Sequence, residues 1–131
     1  MGMAMQSILA VDDSVTMRHL IGWTLPSAGY HLIEAADGAS ALAQAGTNDV
    51  DLVITDQNMP GMDGLALTRS LRADARLRDV PVLILSTDDD LDLKQAARSA
   101  GATGWLTKPF EPRRLLEVIR KVAPPPETKP C

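Results

Sequence analysis

Three short runs of apolar residues are the feature of this sequence that most restricts how the chain can fold. Residues 8–11, 52–54 and 82–85 read Ile-Leu-Ala-Val, Leu-Val-Ile and Val-Leu-Ile-Leu. The runs are continuous rather than alternating with polar residues, which is typical of parallel strands buried on both faces. Residues 31–35 and 104–107 are weaker candidates of the same kind. The sequence therefore predicts five short strands.

Apolar residues at helical spacing fill the segments that follow these strands. The first such segment covers residues 17–25 behind a cap at Asp13 or Ser14, and Pro26 and Gly29 are expected to end that helix. Four more helices are predicted from the stripes Ala41, Leu42 and Ala45; Leu67 and Leu71; Leu93, Ala96, Ala97 and Ala100; and Leu115, Val118, Ile119 and Val122. Strand and helix thus alternate five times. This pattern predicts an α/β fold, an open parallel sheet with helices on both faces.

Length and composition restrict the class of protein further. Of the 131 residues, 1–123 are predicted to form one domain, and the proline-rich, polar segment 124–131 a flexible tail. A net charge of −4 argues against nucleic-acid binding, which depends on Lys and Arg contacts to phosphates. No apolar run approaches the roughly 20 residues of a membrane helix, and the N-terminus does not resemble a secretory signal. The only cysteine, Cys131, allows no disulfide within one chain. We expect a monomeric, cytoplasmic protein.

Polar side chains follow four of the predicted strands, at the edge of the sheet where open α/β folds bind ligands. Asp12 and Asp13 follow the first strand, Asp56 the third, Ser86 the fourth and Lys108 the fifth. Carboxylates at adjacent strand ends repel one another unless a cation lies between them, and Mg²⁺ prefers oxygen ligands. The sequence therefore predicts a magnesium site, and an ion held there can bridge an incoming phosphoryl oxygen while a carboxylate attacks phosphorus. The lysine and the serine hydroxyl are expected to contact the phosphoryl oxygens.

Each of these residues also has a simpler explanation when it is considered alone. Asp12 and Asp13 suit the cap of the first helix, and the Lys-Pro pair at 108–109 suits an ordinary loop. The acidic residues of segment 88–92 are interpreted as caps of the fourth helix rather than as a second metal site. Trp23 is expected to pack at a helix margin. The combination of complementary groups at four strand ends nevertheless favours one shared site.

The segments that carry this chemistry resemble those of response-regulator receiver domains. The matching segments are 11–18, 56–64, 81–86 and 108–110, in the order and at the spacing of that family. The resemblance covers residues 8–110 and implies a flavodoxin-like, doubly wound sheet of five parallel strands in the order 2-1-3-4-5, with five helices. It also implies a signalling switch that gains and loses a phosphoryl group on its own aspartate, not an enzyme acting on other substrates.

The resemblance implies a role for each residue of the site. Asp56 is the implied phosphoacceptor. Mg²⁺ would be bound by the side chains of Asp13 and Asp56, by the backbone carbonyl of Asn58, and by Asp12 through water. Lys108 would contact the phosphoryl group, and its peptide bond to the following proline is expected to be cis. The implied phosphoryl donor is a phosphohistidine of a sensor histidine kinase.

The output of the switch is also implied by the resemblance. Ser86 is the switch hydroxyl and Trp105 its partner aromatic, at a position where the family usually has Tyr or Phe. Thr87 replaces the usual Ala or Gly and leaves a second candidate hydroxyl, although Ser86 is the residue that ends the apolar run. Asp88 and Thr87 are expected to tune hydrolysis. The face of helix four, strand five and helix five would bind an output protein such as a flagellar motor switch, in chemotaxis or motility signalling.

Two other functional classes compete with this interpretation of the sequence. Aspartyl phosphatases resembling the haloacid-dehalogenase group place their acids as Asp-x-Asp after the first strand, whereas the acids here are adjacent and there is no room for a cap domain. A phosphorylation-independent interaction module on the same fold is the second alternative. The full set of acidic residues argues against it, and Mg²⁺-dependent labelling would separate the two.

Overall fold

The computed structural model describes residues 6–123, and the tail predicted for 124–131 lies outside the described residues. Strands and helices alternate along the described chain in the order β1 (Ser7–Val11), α1 (Val15–Ser27), β2 (His31–Ala35), α2 (Gly38–Thr47), β3 (Leu52–Asp56), α3 (Gly64–Ala73), β4 (Val82–Ser86), α4 (Leu91–Ala100), β5 (Gly104–Thr107) and α5 (Pro112–Val122). The strands form one parallel sheet in the order β2-β1-β3-β4-β5. The predicted fold class and strand order are confirmed. Within residues 6–123, no helix is long and apolar enough to cross a membrane.

The sheet separates two apolar cores, one on each face. Every residue of β3 and of β4 is buried, which explains why their sequences are continuous rather than alternating. Successive side chains of a strand point to opposite faces. Ile54 and Leu83 accordingly pack with α1 and α5, whereas Val53 and Ile84 pack with α2, α3 and α4. The carboxyl ends of β3 and β4 are therefore held in strands that are buried from both sides.

Helix α1 ends between Pro26 and Gly29 as predicted, although the placement of one of its side chains differs from the prediction. It continues through Pro26 to Ser27, where the Ser27 hydroxyl donates a hydrogen bond of 2.7 Å to the carbonyl of Trp23. Pro26 has no N–H to donate, so the last turn of the helix lacks one backbone hydrogen bond. The side chain of Trp23 is 74% exposed, so the expectation that it packs at a helix margin is wrong. The buried face of α1 is formed by Ile21, Thr24 and Leu25, and Trp23 lies on the opposite side.

A long-range contact holds the C-terminal end of α4. The guanidinium of Arg72, in α3, donates hydrogen bonds of 3.0 and 2.8 Å to the carbonyl of Gly101 and a further one of 3.3 Å to the carbonyl of Leu77. Gly101 follows α4 with a φ of 105°, a conformation that favours glycine. Helix α4 is thereby tied to α3 at the end that lies far from the carboxyl edge of the sheet.

Candidate functional site

Three carboxylates lie together at the carboxyl ends of two neighbouring strands. Asp12 and Asp13 directly follow β1, and Asp56 is the last residue of β3, which pairs with β1. One oxygen of each carboxylate lies within 4.8 Å of the others. Asp12 and Asp56 are buried, whereas Asp13 is exposed. The arrangement could hold one metal ion, with Asp13 on the side of the solvent.

Lys108 brings a positive charge to this cluster from the end of β5. Its Nζ lies 3.0 Å from Oδ1 of Asp56 and 3.7 Å from Oδ2 of Asp12. The peptide bond from Lys108 to Pro109 is cis, as the resemblance implied. The backbone N–H of Lys108 donates a hydrogen bond of 2.7 Å to the carbonyl of Ser86. The side chain of Lys108 is only 14% exposed. Its attraction to a carboxylate or a phosphoryl oxygen is therefore stronger than it would be in bulk water.

Asp12 is the most deeply buried acid of the cluster. Its Oδ1 accepts the backbone N–H of Ser14 at 2.8 Å, while among residues 6–123 its Oδ2 has no hydrogen-bond partner. Burial raises the pKa of the Asp12 carboxyl above its ordinary value of 3.8, and the Ser14 hydrogen bond and the Lys108 charge oppose this only in part. A buried carboxylate oxygen that lacks a hydrogen bond is unfavourable, and Lys108 Nζ at 3.7 Å compensates for this only in part. Three acids arranged in this way fit a hard divalent cation such as Mg²⁺.

The raised pKa of Asp12 makes a prediction for the stability of the metal-free protein. The folded state takes up this proton more readily than the unfolded state, so the contribution of Asp12 to stability is greatest below pH 3.8 and is lost as the pH rises through the raised pKa. Asp12→Asn should therefore raise the melting temperature of the protein at neutral pH. The melting temperature of this variant should also fall less than that of the parent protein as the pH rises through the raised pKa of Asp12. Thermal melts in EDTA across this pH range measure the difference between the two proteins. Identical pH profiles would contradict the prediction.

Ser86 and Trp105 lie on the same face of the sheet. Ser86 is fully buried at the end of β4, and its Oγ accepts the backbone N–H of Asp88 at 3.0 Å. Trp105 pairs with Ile84, two residues before Ser86, and side chains two residues apart share a face. Thr87, the other candidate hydroxyl, belongs to an exposed residue. Of the two hydroxyls, only that of Ser86 is therefore directed into the molecule.

The indole of Trp105 lies between α4 and β5. Trp105 is half-buried and packs against the core formed with α2, α3 and α4. Its Nε1 is buried and, in the described part of the chain, has no hydrogen-bond partner. The ring borders a cavity of about 130 Å³ whose other lining residues are Lys94, Ala97, Arg98, Ala102, Thr103 and Gly104. An aromatic residue with an unpaired donor thus faces a small open space next to an exposed helix.

Residues next to the site have structural roles that the sequence revealed only in part. Asp90 is the N-cap of α4 and accepts the N–H of Asp92 at 2.8 Å, which confirms that acids of segment 88–92 cap this helix. Gln57 has a role that no sequence pattern indicated. Its Oε1 accepts the N–H of Leu65 at 3.1 Å, and its own carbonyl accepts the N–H of Gly64 at 3.0 Å. Gln57 therefore joins the end of β3 to the start of α3, directly after Asp56.

Comparison with known proteins assigns the family of this chain. A family model described as the response regulator receiver domain matches residues 8–120. The chain belongs to this family. The chemotaxis protein CheY of Pseudomonas aeruginosa is 41% identical over 116 residues, which cover 88% of this chain and 94% of that protein. The receiver domain described here is therefore similar to CheY in sequence over almost its whole length.

Solved structures agree with this assignment. The chemotaxis protein CheY4 of Vibrio cholerae has a TM-score of 0.89 at 42% identity, covering 91% of this chain and 99% of that one. The receiver domain of a sensor histidine kinase from Pseudomonas aeruginosa has a TM-score of 0.84 at 30% identity, covering 92% and 98%. That second structure contains a magnesium ion coordinated in its active-site cleft. This chain is a CheY-like receiver domain.

Proposed function

We propose that this receiver domain is a switch that accepts a phosphoryl group on Asp56 from the phosphohistidine of a sensor histidine kinase. The observation that carries the proposal is the contact of 3.0 Å between Lys108 Nζ and Asp56 Oδ1 within a cluster of three carboxylates. A nucleophilic carboxylate, a cation for the phosphoryl oxygens and ligands for a metal are the three components that such a transfer requires. All three are present at the carboxyl edge of the sheet.

The acidic residues are proposed to hold Mg²⁺. Asp13 and Asp56 would bind it through their side chains, Asn58 through its backbone carbonyl and Asp12 through water. This assignment is supported by Oδ2 of Asp12, which is buried without a hydrogen-bond partner among residues 6–123, and by the magnesium ion in the related kinase receiver. When bound, the ion would neutralise negative charge on the phosphoryl oxygens. Asp12 would then remain ionised despite its burial, because a cation opposes the effect of desolvation on its pKa.

The residues of the chain carry out the transfer itself. An oxygen of Asp56 attacks phosphorus, so that the new P–O bond forms as the P–N bond to the donor histidine breaks and the imidazole leaves. The Lys108 ammonium contacts Asp56 in this structure. After the transfer it would pair with an oxygen of the phosphoryl group on Asp56. The Ser86 hydroxyl has its hydrogen available to donate to another oxygen, since the contact it makes with Asp88 is as an acceptor.

Phosphorylation is proposed to change the surface formed by α4, β5 and α5. A phosphoryl group adds a charge of about −1.5 to −2 near neutral pH. Because Ser86 and Trp105 share a face of the sheet, a shift of the hydroxyl toward the phosphoryl group can alter the space available to the indole. The exposed residues Thr87 and Asp88 border this region and are proposed to tune the lifetime of the phosphorylated form.

The partners follow from the proposed switch and from the relatives of the chain. Several similar proteins are named as chemotaxis proteins, which supports a role in chemotaxis or motility signalling. We therefore propose an output protein such as a flagellar motor switch, bound by a monomeric receiver domain that catalyses no reaction on other molecules. A cytoplasmic location remains the prediction from the sequence.

Labelling with a small phosphodonor tests the proposed function. Incubation with acetyl phosphate and Mg²⁺ is expected to add one phosphoryl group that is stable in acid and labile in base, as acyl phosphates are. Intact-mass measurement with and without EDTA checks the result. Removing the metal should reduce labelling to the background, because the carboxylates would then repel the incoming phosphate. Equal labelling in EDTA, or none in Mg²⁺, would contradict the proposal.

A further inference from the structure

The loop between β4 and α4, residues 87–90, is tied to two other elements through the side chain of Asp89. Lys94, one turn into α4, forms an ion pair with Asp89 Oδ1. Thr107, the last residue of β5, donates its hydroxyl to the same oxygen at 3.2 Å. The hydrogen bonds from Lys94 and Thr107 lower the pKa of Asp89, so the carboxylate is ionised at neutral pH. One exposed acid thus connects a loop, a helix and a strand.

The same loop also holds the hydroxyl of Ser86. The N–H of Asp88 donates to Ser86 Oγ at 3.0 Å, and the N–H of Asp90 donates to Asp88 Oδ1 at 2.9 Å. Thr107, to which Asp89 is bound, is the residue that pairs with Ser86 across the sheet. The position of the Ser86 hydroxyl and the position of the Asp89 carboxylate are therefore set by one short segment of backbone.

We infer that Asp89 is a positioning residue whose contacts with Lys94 and Thr107 restrain the loop and so oppose the turn of the Ser86 hydroxyl toward a phosphoryl group on Asp56. The inference rests on the proposed function. When Ser86 Oγ moves, the N–H of Asp88 must follow it or lose its acceptor, and an unpaired N–H is unfavourable. Following it displaces the loop and stretches both contacts of Asp89.

The expected size of the effect follows from the exposure of the pair. The side chains of Lys94 and Asp89 are 37% and 70% exposed, so solvent weakens their attraction. Release of the loop should therefore tighten the binding of a phosphoryl mimic by about two- to fivefold, not by orders of magnitude. The contribution of the ion pair should shrink as the salt concentration rises, whereas the hydrogen bond from the uncharged Thr107 hydroxyl should depend less on salt.

Beryllofluoride, which stands in for a phosphoryl group on Asp56, provides the measurement. It is titrated in Mg²⁺ while the fluorescence of Trp105 is followed in a Trp23→Phe background. Asp89→Ala, which removes both contacts, is expected to bind beryllofluoride more tightly than Asp89→Asn, which keeps an acceptor for Thr107. Both should bind it more tightly than the parent protein.

Two matched variants separate restraint from simple charge removal. Thr107→Val removes the hydroxyl without changing any charge and is expected to tighten binding as well. Asp92→Asn removes a nearby negative charge that takes no part in the contacts of Asp89 with Lys94 and Thr107. It should change the affinity for beryllofluoride less than Asp89→Asn does. If only the variants that remove charge respond, the effect is general electrostatics and the inference is wrong.

Hydrogen exchange tests the restraint without any phosphoryl mimic. The amide of Asp88 is expected to exchange several-fold faster in Asp89→Ala and in Thr107→Val than in the parent. Unchanged exchange in both variants would overturn the inference, as would faster exchange with no change in affinity for beryllofluoride. If the parent protein itself fails to bind beryllofluoride, the proposed function fails and the inference fails with it, an outcome visible without the variants.

Discussion

Asp56→Asn is expected to abolish phosphoryl labelling by acetyl phosphate, the largest effect that a single substitution in this site should have. An amide oxygen is a far weaker nucleophile than a carboxylate, and the variant also loses a proposed ligand to Mg²⁺. Among the acids of the cluster, Asp56 is the one that Lys108 contacts at hydrogen-bond distance. Intact-mass measurement after incubation in Mg²⁺ would report the loss directly.

A matched control for this loss is Asp49→Asn. Asp49 is an exposed acid between α2 and β3, so the change in net charge is the same and the site is untouched. Its labelling should equal that of the parent protein. Transfer of the label to Asp12 or Asp13 in the Asp56 variant, seen by peptide mapping, would show that the phosphoacceptor has been assigned to the wrong carboxylate.

Gly64→Ala is expected to destabilise the fold by about 1–3 kcal/mol, the range for forcing an extra methyl group into a packed interior. A Cβ at Gly64 would lie 2.9 Å from the backbone oxygen of Asp56 and 2.9 Å from Oε1 of Gln57. Backbone cannot move aside as a flexible side-chain end can. The strain therefore falls on the phosphoacceptor, and labelling by acetyl phosphate should slow together with the loss of stability.

Gly46→Ala provides the contrasting substitution. Gly46 is in helix α2, and apart from its chain neighbours and the backbone of that helix, no atom of the described residues lies within 4 Å of a Cβ placed there. Alanine is favoured over glycine in a helix by up to about 1 kcal/mol, so this variant should be neutral or slightly stabilised. Urea denaturation of both variants measures the difference. Equal destabilisation would mean that close packing around Gly64 is not the cause, and unchanged labelling in Gly64→Ala would separate Asp56 from that packing.

The strands and the main site residues could be predicted from the sequence because both depend on short-range patterns. β3 and β4 are buried from both faces, and this burial produces the continuous apolar sequences at 52–54 and 82–85. The carboxyl ends of parallel strands share one edge, so acids at the ends of β1 and β3 must meet once the order of the sheet is known. Strand order itself came from the resemblance to a family, not from the pattern.

Contacts between distant segments could not be predicted in the same way. Arg72 reaches Gly101 across 29 positions, and Thr107 reaches Asp89 across 18. No local pattern distinguishes these residues from other surface arginines and aspartates. Such contacts depend on the relative placement of elements that the sheet brings together. The error at Trp23 has a different origin, because the buried stripe of Ile21, Thr24 and Leu25 already leaves Trp23 on the other side of the helix.

The hydrogen bonds from Arg72 to the carbonyl of Gly101 fix the C-terminal end of α4, so that this helix can pivot about that end. This helix has 10 residues and is therefore about 15 Å long. Its far end is anchored to α3 by a guanidinium, whereas its near end continues from the loop that contacts Ser86. A small displacement of that loop would then swing the helix about its anchored end instead of sliding it along the sheet. The largest movement would occur near Asp90, and the smallest beside Gly101.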